Sequence, residues 1–497
     1  MTVMPGGAAP GVTVVGGGLA GMTAALRLLE RGVPVTLLEA GDRLGGQAGA
    51  RLTDGGREDH GYHIFPLWYL NAWRLIGELG IEGSYRDARK FHQVLPGEWP
   101  RLHTIENFTS LRFAFRNLGS GLLPLHKMVL YYYAAFDLMS QRYDRRAYLD
   151  LVSVNGFLRS RFYRSEEVAR LFGASILGGI SAPSYEASAM TVRNVLRYWM
   201  RHPEPMFRIL RDDLQTAFIE PLARRLEALG CRIEVGRRVT GIEVAHGAVT
   251  GLRVQAAPSG DAEVRPASRV VMAVPADVFS RLIDGPVHRA APELGSVHDI
   301  NVRPMAAFTL TFEERLPDVP PDHVNLMGSR YGISFIDVAQ TWPGHPGSVL
   351  SCIASAFTHL EGLTDDEALD ELVADMIPFV PDVGRMRLVR RTLQAHLDSP
   401  LVMNDVGAWI ARPGTLTGVG GLVLAGAWCR NHVDLVTMES AIASGLLAAE
   451  AVRADLGVGD PIVVDVPAPY PQWLLSLGRN LLLPVAAVAS LVDRIVG

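Results

Sequence analysis

Residues 12–46 read VTVVGGGLAGMTAALRLLERGVPVTLLEAGDRLGG. An apolar, β-branched run at 12–15 enters Gly16-Gly17-Gly18-Leu19-Ala20-Gly21. Met22, Ala25, Leu26 and Leu29 then recur at helical spacings, Gly32 closes that pattern, and a second apolar run at 33–38 ends in Glu39. The order strand, glycine turn, helix, strand and acid predicts a dinucleotide-binding βαβ unit. Gly16 serves the tight turn, Gly18 lets backbone approach a pyrophosphate, and Gly21 lets the helix pack close to the strand. The amide groups of Leu19, Ala20 and Gly21 at the helix start offer unpaired donors and a positive dipole end to phosphate. Glu39 lies 18 residues beyond Gly21, where a carboxylate accepts the hydroxyls of an adenosine ribose. An acid in that place disfavours a 2′-phosphate.

The unit continues through Ala40 into Asp42-Arg43-Leu44-Gly45-Gly46-Gln47. That extension resembles the flavoproteins of the amine oxidase and carotenoid desaturase superfamily, in which the second strand ends in an acid followed by a basic residue and a glycine pair that wrap FAD. The resemblance shifts the expected cofactor from NAD to non-covalent FAD. It continues in Asp59-His60-Gly61-Tyr62-His63-Ile64-Phe65, similar to an acid, glycine and His-Ile-Phe of the plant and cyanobacterial phytoene and ζ-carotene desaturases. The resemblance implies that His63 and Ile64 lie beside the flavin, and His63 is the one catalytic candidate. On its own, a histidine pair near a turn reads as polar groups satisfied locally.

Composition excludes several classes. The 497 residues carry a formal charge of −5 and 48% hydrophobic residues, which fits a large α/β enzyme and gives no general attraction to nucleic acid. Cys231, Cys352 and Cys429 are too scattered for a disulfide framework or a metal site. No charged leader precedes the first apolar run, so a cytoplasmic protein is expected, working at the inner face of the membrane if it binds one. Lys90 and Lys127 are the chain's two lysines.

The expected fold is α/β: a Rossmann-like FAD-binding domain intertwined with a substrate domain of mixed sheet and helices. FAD segments are expected at 1–90, 216–290 and 401–458. A mostly helical substrate segment falls at 91–215, a sheet and helix at 291–400, and an amphipathic tail at 459–497. Runs at 231–235, 239–244, 249–254 and 269–274 predict the strands of the second FAD segment. There the resemblance implies that the backbone of Val239 holds the adenine. The third segment carries a buried run at 422–426 and a helix from Thr437, similar to the family's Met-Glu-x-Ala-x-x-Ser-Gly ending. Gly426, Ala427 and Met438 are thereby expected at the flavin. Two positions depart from the family: Ala427 replaces an acid, and Gln47 replaces a basic residue after the glycine pair.

Residues 122–139 (LLPLHKMVLYYYAAFDLM) are apolar on most sides, which describes either a buried helix or one at a membrane surface. In the tail, the uninterrupted apolar stretch around LLLPVAAVASLV is about 12 residues, contains Pro484 and is short for a span of roughly 20 residues. Trp473, Arg479 and Arg494 at its ends suit a helix lying in an interface, so peripheral membrane association is expected.

The superfamily resemblance implies hydride transfer from a long apolar, isoprenoid or carotenoid-like molecule to flavin N5. Three alternatives stand beside desaturation: removal of hydroxyl from a squalene alcohol, amine oxidation, and a lipid carrier on a flavoprotein fold. The lack of lysine after Lys127 counts against amine oxidation, for which Trp428 could form a wall of an aromatic cage. Ala427 and Gln47 motivate the carrier.

Overall fold

The computed structural model describes residues 11–53, 56–106, 116–180, 182–201, 207–256, 260–395 and 400–496. Its centre is a five-stranded parallel sheet in the order Arg232–Glu234, Val35–Leu38, Val12–Val15, Val270–Met272, Leu422–Leu424. Neighbouring strands come from all three expected FAD segments, which parallel pairing permits because each crossover can be long. Four of the five strands are short and mostly apolar, as expected where both faces are covered, while the edge strand Arg232–Glu234 carries charged residues at both ends. The helices Leu19–Leu29 and Met438–Leu456 pack against each other on one face. A β-carbon added at Gly445 would lie 2.3 Å from the carbonyl oxygen of Ala20, so this glycine sets the closeness of the crossing. The antiparallel sheet Arg237–Ala245, Ala248–Ala256 and Ala262–Pro266 flanks the nucleotide sheet.

The second layer system is a seven-stranded mixed sheet in the order Leu388–Gln394, Ala306–Phe312, Val349–Ala354, Ile333–Asp337, His323–Leu326, Phe91–Val94, His103–Ile105. The segment 91–215 thus supplies two of its strands as well as helices. The helix Asp365–Met376 packs on this sheet. It starts with a capping box in which the Thr364 hydroxyl accepts from Glu367 N while the Glu367 carboxylate accepts from Thr364 N at 2.9 Å. A small sheet of Ile64–Pro66, Phe207–Leu210 and Tyr85–Ala88 ties the first FAD segment to the end of the insertion. Pro203 and Pro205, which the sequence offers as helix breakers near the end of the insertion, lie outside the described residues.

The insertion settles the ambiguity of residues 122–139. The helix Leu125–Met139 is core: Leu130, Tyr131, Tyr133, Ala134 and Leu138 are buried. It is covered by Ala189–Arg201, Glu166–Ile180 and the tail. The tail also differs from its sequence reading. It is one 25-residue helix, Gln472–Val496, running through Pro484 and long and apolar enough to cross a membrane. The proline costs the Asn480 carbonyl its donor, and Asn480 is exposed to water, which explains why the helix continues.

Candidate functional site

The glycine turn sits at the carboxyl ends of the parallel strands, where ligands bind in open α/β sheets. A β-carbon at Gly16 would lie 2.4 Å from the Ala273 carbonyl oxygen, and one at Gly21 would lie 2.0 Å from that of Gly16. At Gly18 the nearest atom would be the Cα of Gly46, at 3.9 Å. Gly16 and Gly21 are therefore required by the fold, whereas the space before Gly18 is open. The helix Leu19–Leu29 has no side-chain cap, and the amides of Leu19, Ala20 and Gly21 meet no acceptor among the described residues. Gly45 and Gly46, both at positive φ, lie directly against this turn: the Gly45 amide donates to Gly17 O at 2.8 Å. Two backbone loops thus lie against each other, joined by the Gly18–Gly45 bridge.

Glu39 has a second task that its position in the sequence does not reveal. Its carboxylate accepts the Gly17 amide at 2.7 Å and the Gly41 amide at 2.6 Å, one on each oxygen. Each oxygen keeps a lone pair for a ribose hydroxyl. The backbone carbonyl of Glu39 also accepts from Arg237 N at 2.7 Å, which brings Val239, two residues on, to the same end of the sheet. A register shift in the strand pairing falls between Val239 and Gly241. Ala40 and Arg43 flank the acid on the exposed edge, and Gln47 there donates to Pro400 O at 3.3 Å.

In the third segment, serine hydroxyls hold the turn at Gly426 and Ala427. Gly426 N donates to Ser444 Oγ at 3.0 Å, and Ser440 Oγ donates to the carbonyl of Ala427 at 3.0 Å. Ala427 itself is half-buried beside the start of Met438–Leu456. Thr437 caps that helix by accepting from Ser440 N at 3.1 Å, leaving the amides of Met438 and Glu439 without an acceptor among the described residues. Glu439 turns away from this end and caps another helix, accepting from Asn71 N at 3.0 Å and Ala72 N at 2.9 Å. Trp428 is no cage wall: it is buried beside Phe279, and its indole donates to Val274 O at 2.9 Å. Cys429 is buried, and burial pushes its thiol up to about 12, so it stays protonated. Among the described residues no cluster of histidine, cysteine and carboxylate could hold a metal ion.

The segment around His63 meets the seven-stranded sheet. A β-carbon at Gly61 would lie 2.6 Å from Ile353 Cγ1, so the chain passes tightly over that sheet. His63 Nδ1 lies 3.9 Å from the carboxylate of Asp59, which accepts the Leu214 amide at 3.0 Å. Burial raises the Asp59 carboxyl above its usual range. Ile64 begins the strand paired with Phe207–Leu210. Next to them, Tyr62 Oη lies 2.8 Å from His323 Nε2 and 2.6 Å from Ser334 Oγ. Burial and then the neighbouring His92 push His323 down to about 3, so it is neutral. The sequence carries no signal for this meeting of Tyr62 with His323 and Ser334, because it spans more than 250 positions. Gln215 was also missed. It opens the π-helical turn Gln215–Ile219, and its buried Oε1 has no hydrogen-bond partner among the described residues. A β-carbon at Gly45 or Gly49 would lie 3.2 Å from that oxygen, and π turns concentrate at functional sites.

These residues fit FAD. Facing glycine loops suit a pyrophosphate, Glu39 suits the ribose, and the free helix start at Met438 suits the electron-rich ring. The chain's comparisons agree. Residues 19–453 match the family described as flavin containing amine oxidoreductase. Two carotenoid phi-ring synthases are similar: that of Chlorobaculum tepidum is 30% identical over 50% of this chain and 40% of its own length. That of Streptomyces griseus is 28% identical over 93% of this chain and 91% of its own. The 15-cis-phytoene desaturase of Solanum lycopersicum is 24% identical over 89% of this chain and 78% of its own. The solved structure of putrescine oxidase bound to putrescine shares the fold, with a TM-score of 0.67 at 16% identity over 90% of this chain and 99% of that one. With the family matched over most of its length and the FAD site formed by its own residues, the chain belongs to the flavin-containing amine oxidoreductase family and is an FAD-dependent oxidoreductase.

Proposed function

We propose that the protein oxidises a long apolar molecule of the isoprenoid or carotenoid class. The observation that carries this reading is the match to carotenoid-modifying enzymes over about nine-tenths of the chain. The lysines support it. Lys127 pairs with Glu167 at 2.8 Å and with Asp493 at 3.5 Å under the tail helix, and Lys90 is exposed, so neither serves a flavin. Together with the buried indole of Trp428, this leaves the amine reading without its expected side chains.

Bound FAD supplies a two-electron acceptor at N5. The substrate loses a hydride from an allylic or similarly activated carbon and a proton from its neighbour, forming a double bond. The chain's contribution is to hold and orient. The loops at Gly18 and Gly45 would hold the phosphates, and Ser440 and Ser444 fix the turn at Gly426 and Ala427. The amino end of Met438–Leu456 would favour negative charge on a bound flavin ring. His63 is the group assigned to the departing proton, with the Asp59 carboxylate 3.9 Å from its Nδ1.

The test is anaerobic mixing of the oxidised holoenzyme with acyclic carotenoids and, separately, with amines. Bleaching of the flavin by an isoprenoid is expected. Bleaching by amines alone would overturn the proposal.

A further inference from the structure

The tail helix Gln472–Val496 has two unlike faces. Leu475, Ala486, Ala489 and Ser490 are buried against Leu125–Met139. A β-carbon at Gly478 would come within 3.1 Å of the Phe136 ring, so the helices lie close. On the other face Trp473, Leu477, Leu481, Val485, Val488 and Ile495 are exposed, by 46 to 75%. They recur at helical spacings and form a single apolar stripe. Leu125 and Phe162 are also exposed, by 64% and 42%, and Phe162 meets the helix's carboxyl end through its carbonyl. That end is fixed in place: Asp493 pairs with Lys127, and Ser490 Oγ and Arg494 donate to Phe162 O at 3.0 and 3.1 Å.

Beside it opens a basin of about 580 Å³ lined by Arg159, Ser160, Arg161, Phe162, Arg164 and Arg494. Arg161 lies 3.2 Å from Asp137, and Arg159 lies 3.4 Å from Glu166. Arg164 and Arg494 pair with no carboxylate among the described residues. A protein of net charge −5 thus concentrates positive charge at the rim of its apolar stripe. An isolated apolar face of this length is an interaction site.

We propose that this face docks on an anionic phospholipid bilayer, the stripe entering the acyl boundary and the arginine basin holding a headgroup phosphate. The helix lies along the surface and does not span. Leaving the body would break Arg479–Asp137 at 3.5 Å, Asp493–Lys127 and the bond from Arg197 to Gln472 at 2.9 Å. Apolar and anionic surface in one plane is the complement the face requires, and an anionic bilayer presents both. The docking is independent of the reaction assigned above.

Flotation of the full-length holoprotein with vesicles tests it. One set is phosphatidylcholine, and the other is phosphatidylcholine mixed with phosphatidylglycerol. The wild type is expected to bind the mixed vesicles more tightly. Arg159→Gln and Arg164→Gln should each weaken that preference about fivefold and leave binding to phosphatidylcholine unchanged. The double change Leu481→Gln, Val488→Gln should weaken both by more than about tenfold. Flavin content and melting temperature report whether each variant is folded. Quenching by brominated lipid should fall on Trp473→Phe, giving a readout that needs no loss of binding. Failure of the wild type to bind either vesicle overturns the proposal. So does equal binding of the stripe variant. Equal affinity for the two vesicles, untouched by either arginine change, removes the headgroup site. A dimer in light scattering that is lost in the stripe variant, with no vesicle binding, would make a second copy the occupant and overturn the bilayer.

Discussion

The phosphate end and the reacting end of this site are built from different materials. Around Gly18 and Gly45 the working groups are backbone amides, and the side chains matter by their absence. Around His63, the end proposed to carry the reaction, the polar groups that meet are side chains from strands and turns far apart in sequence: Asp59, Tyr62, His323 and Ser334. Backbone chemistry depends on local conformation, which a short motif can specify. Side-chain chemistry depends on which distant strands become neighbours. The two ends should therefore fail differently when altered.

The largest effect is expected in the glycine turn. Gly21→Ala puts a methyl group 2.0 Å from the Gly16 carbonyl, so the strand and helix must separate. Overpacking of that kind costs about 1–3 kcal/mol or more. The holoenzyme should be lost, seen as a lowered melting temperature and no flavin absorbance. Gly18→Ala, with open space before it, should keep the apoprotein's melting temperature and lose FAD affinity alone. Equal melting losses in both would erase the distinction between a glycine needed by the fold and one needed by the ligand.

At the other end, His63→Ala should slow anaerobic flavin reduction by about 10²–10⁴-fold, the range of general acid–base contributions, while FAD stays bound. Unchanged reduction kinetics would leave His63 a packing residue. Glu39→Gln is expected to weaken FAD binding by roughly one to two orders of magnitude, since a hydrogen bond to a charged group is worth about 1.5–3 kcal/mol. Because Glu39 also ties Gly17 to Gly41, the apoprotein's melting temperature should fall slightly too, and equilibrium dialysis and calorimetry separate the two losses.

The smallest effect is in pH dependence. Burial depresses His323 to about 3 and His432 to about 4. In the unfolded chain such rings take up protons near pH 6.5. Between those values the unfolded state binds more protons, so stability is full above about 6.5 and declines as pH falls toward 4. Melting curves should show this loss, and His323→Gln should flatten it. A flat wild-type curve over that window would mean that His323 is solvated.

The inner strands of the nucleotide sheet were legible because they are short apolar runs bounded by glycine turns or charged residues. The acid at Glu39 was legible by its place at a strand end. Gln215 was not, because its importance comes from a π turn meeting the glycine pair. The mixed sheet was only half visible, since Phe91–Val94 pairs with His323–Leu326 across the whole substrate segment. The tail shows the same limit from the other side. Its apolar composition was plain, but whether Pro484 ended the helix depended on Asn480 facing water.

The sequence by itself determined the dinucleotide unit, because that rests on local conformation and on periodicity within single elements, while the two returns to the parallel sheet and the choice of FAD came from the family resemblance of its motifs. Only the tertiary structure decided that 125–139 is core, that Trp428 is structural, that Tyr62, His323 and Ser334 meet, and that the tail shows an apolar stripe beside four arginines. Each of those facts is a relation between segments, and burial and ion pairing exist only once the segments are in contact.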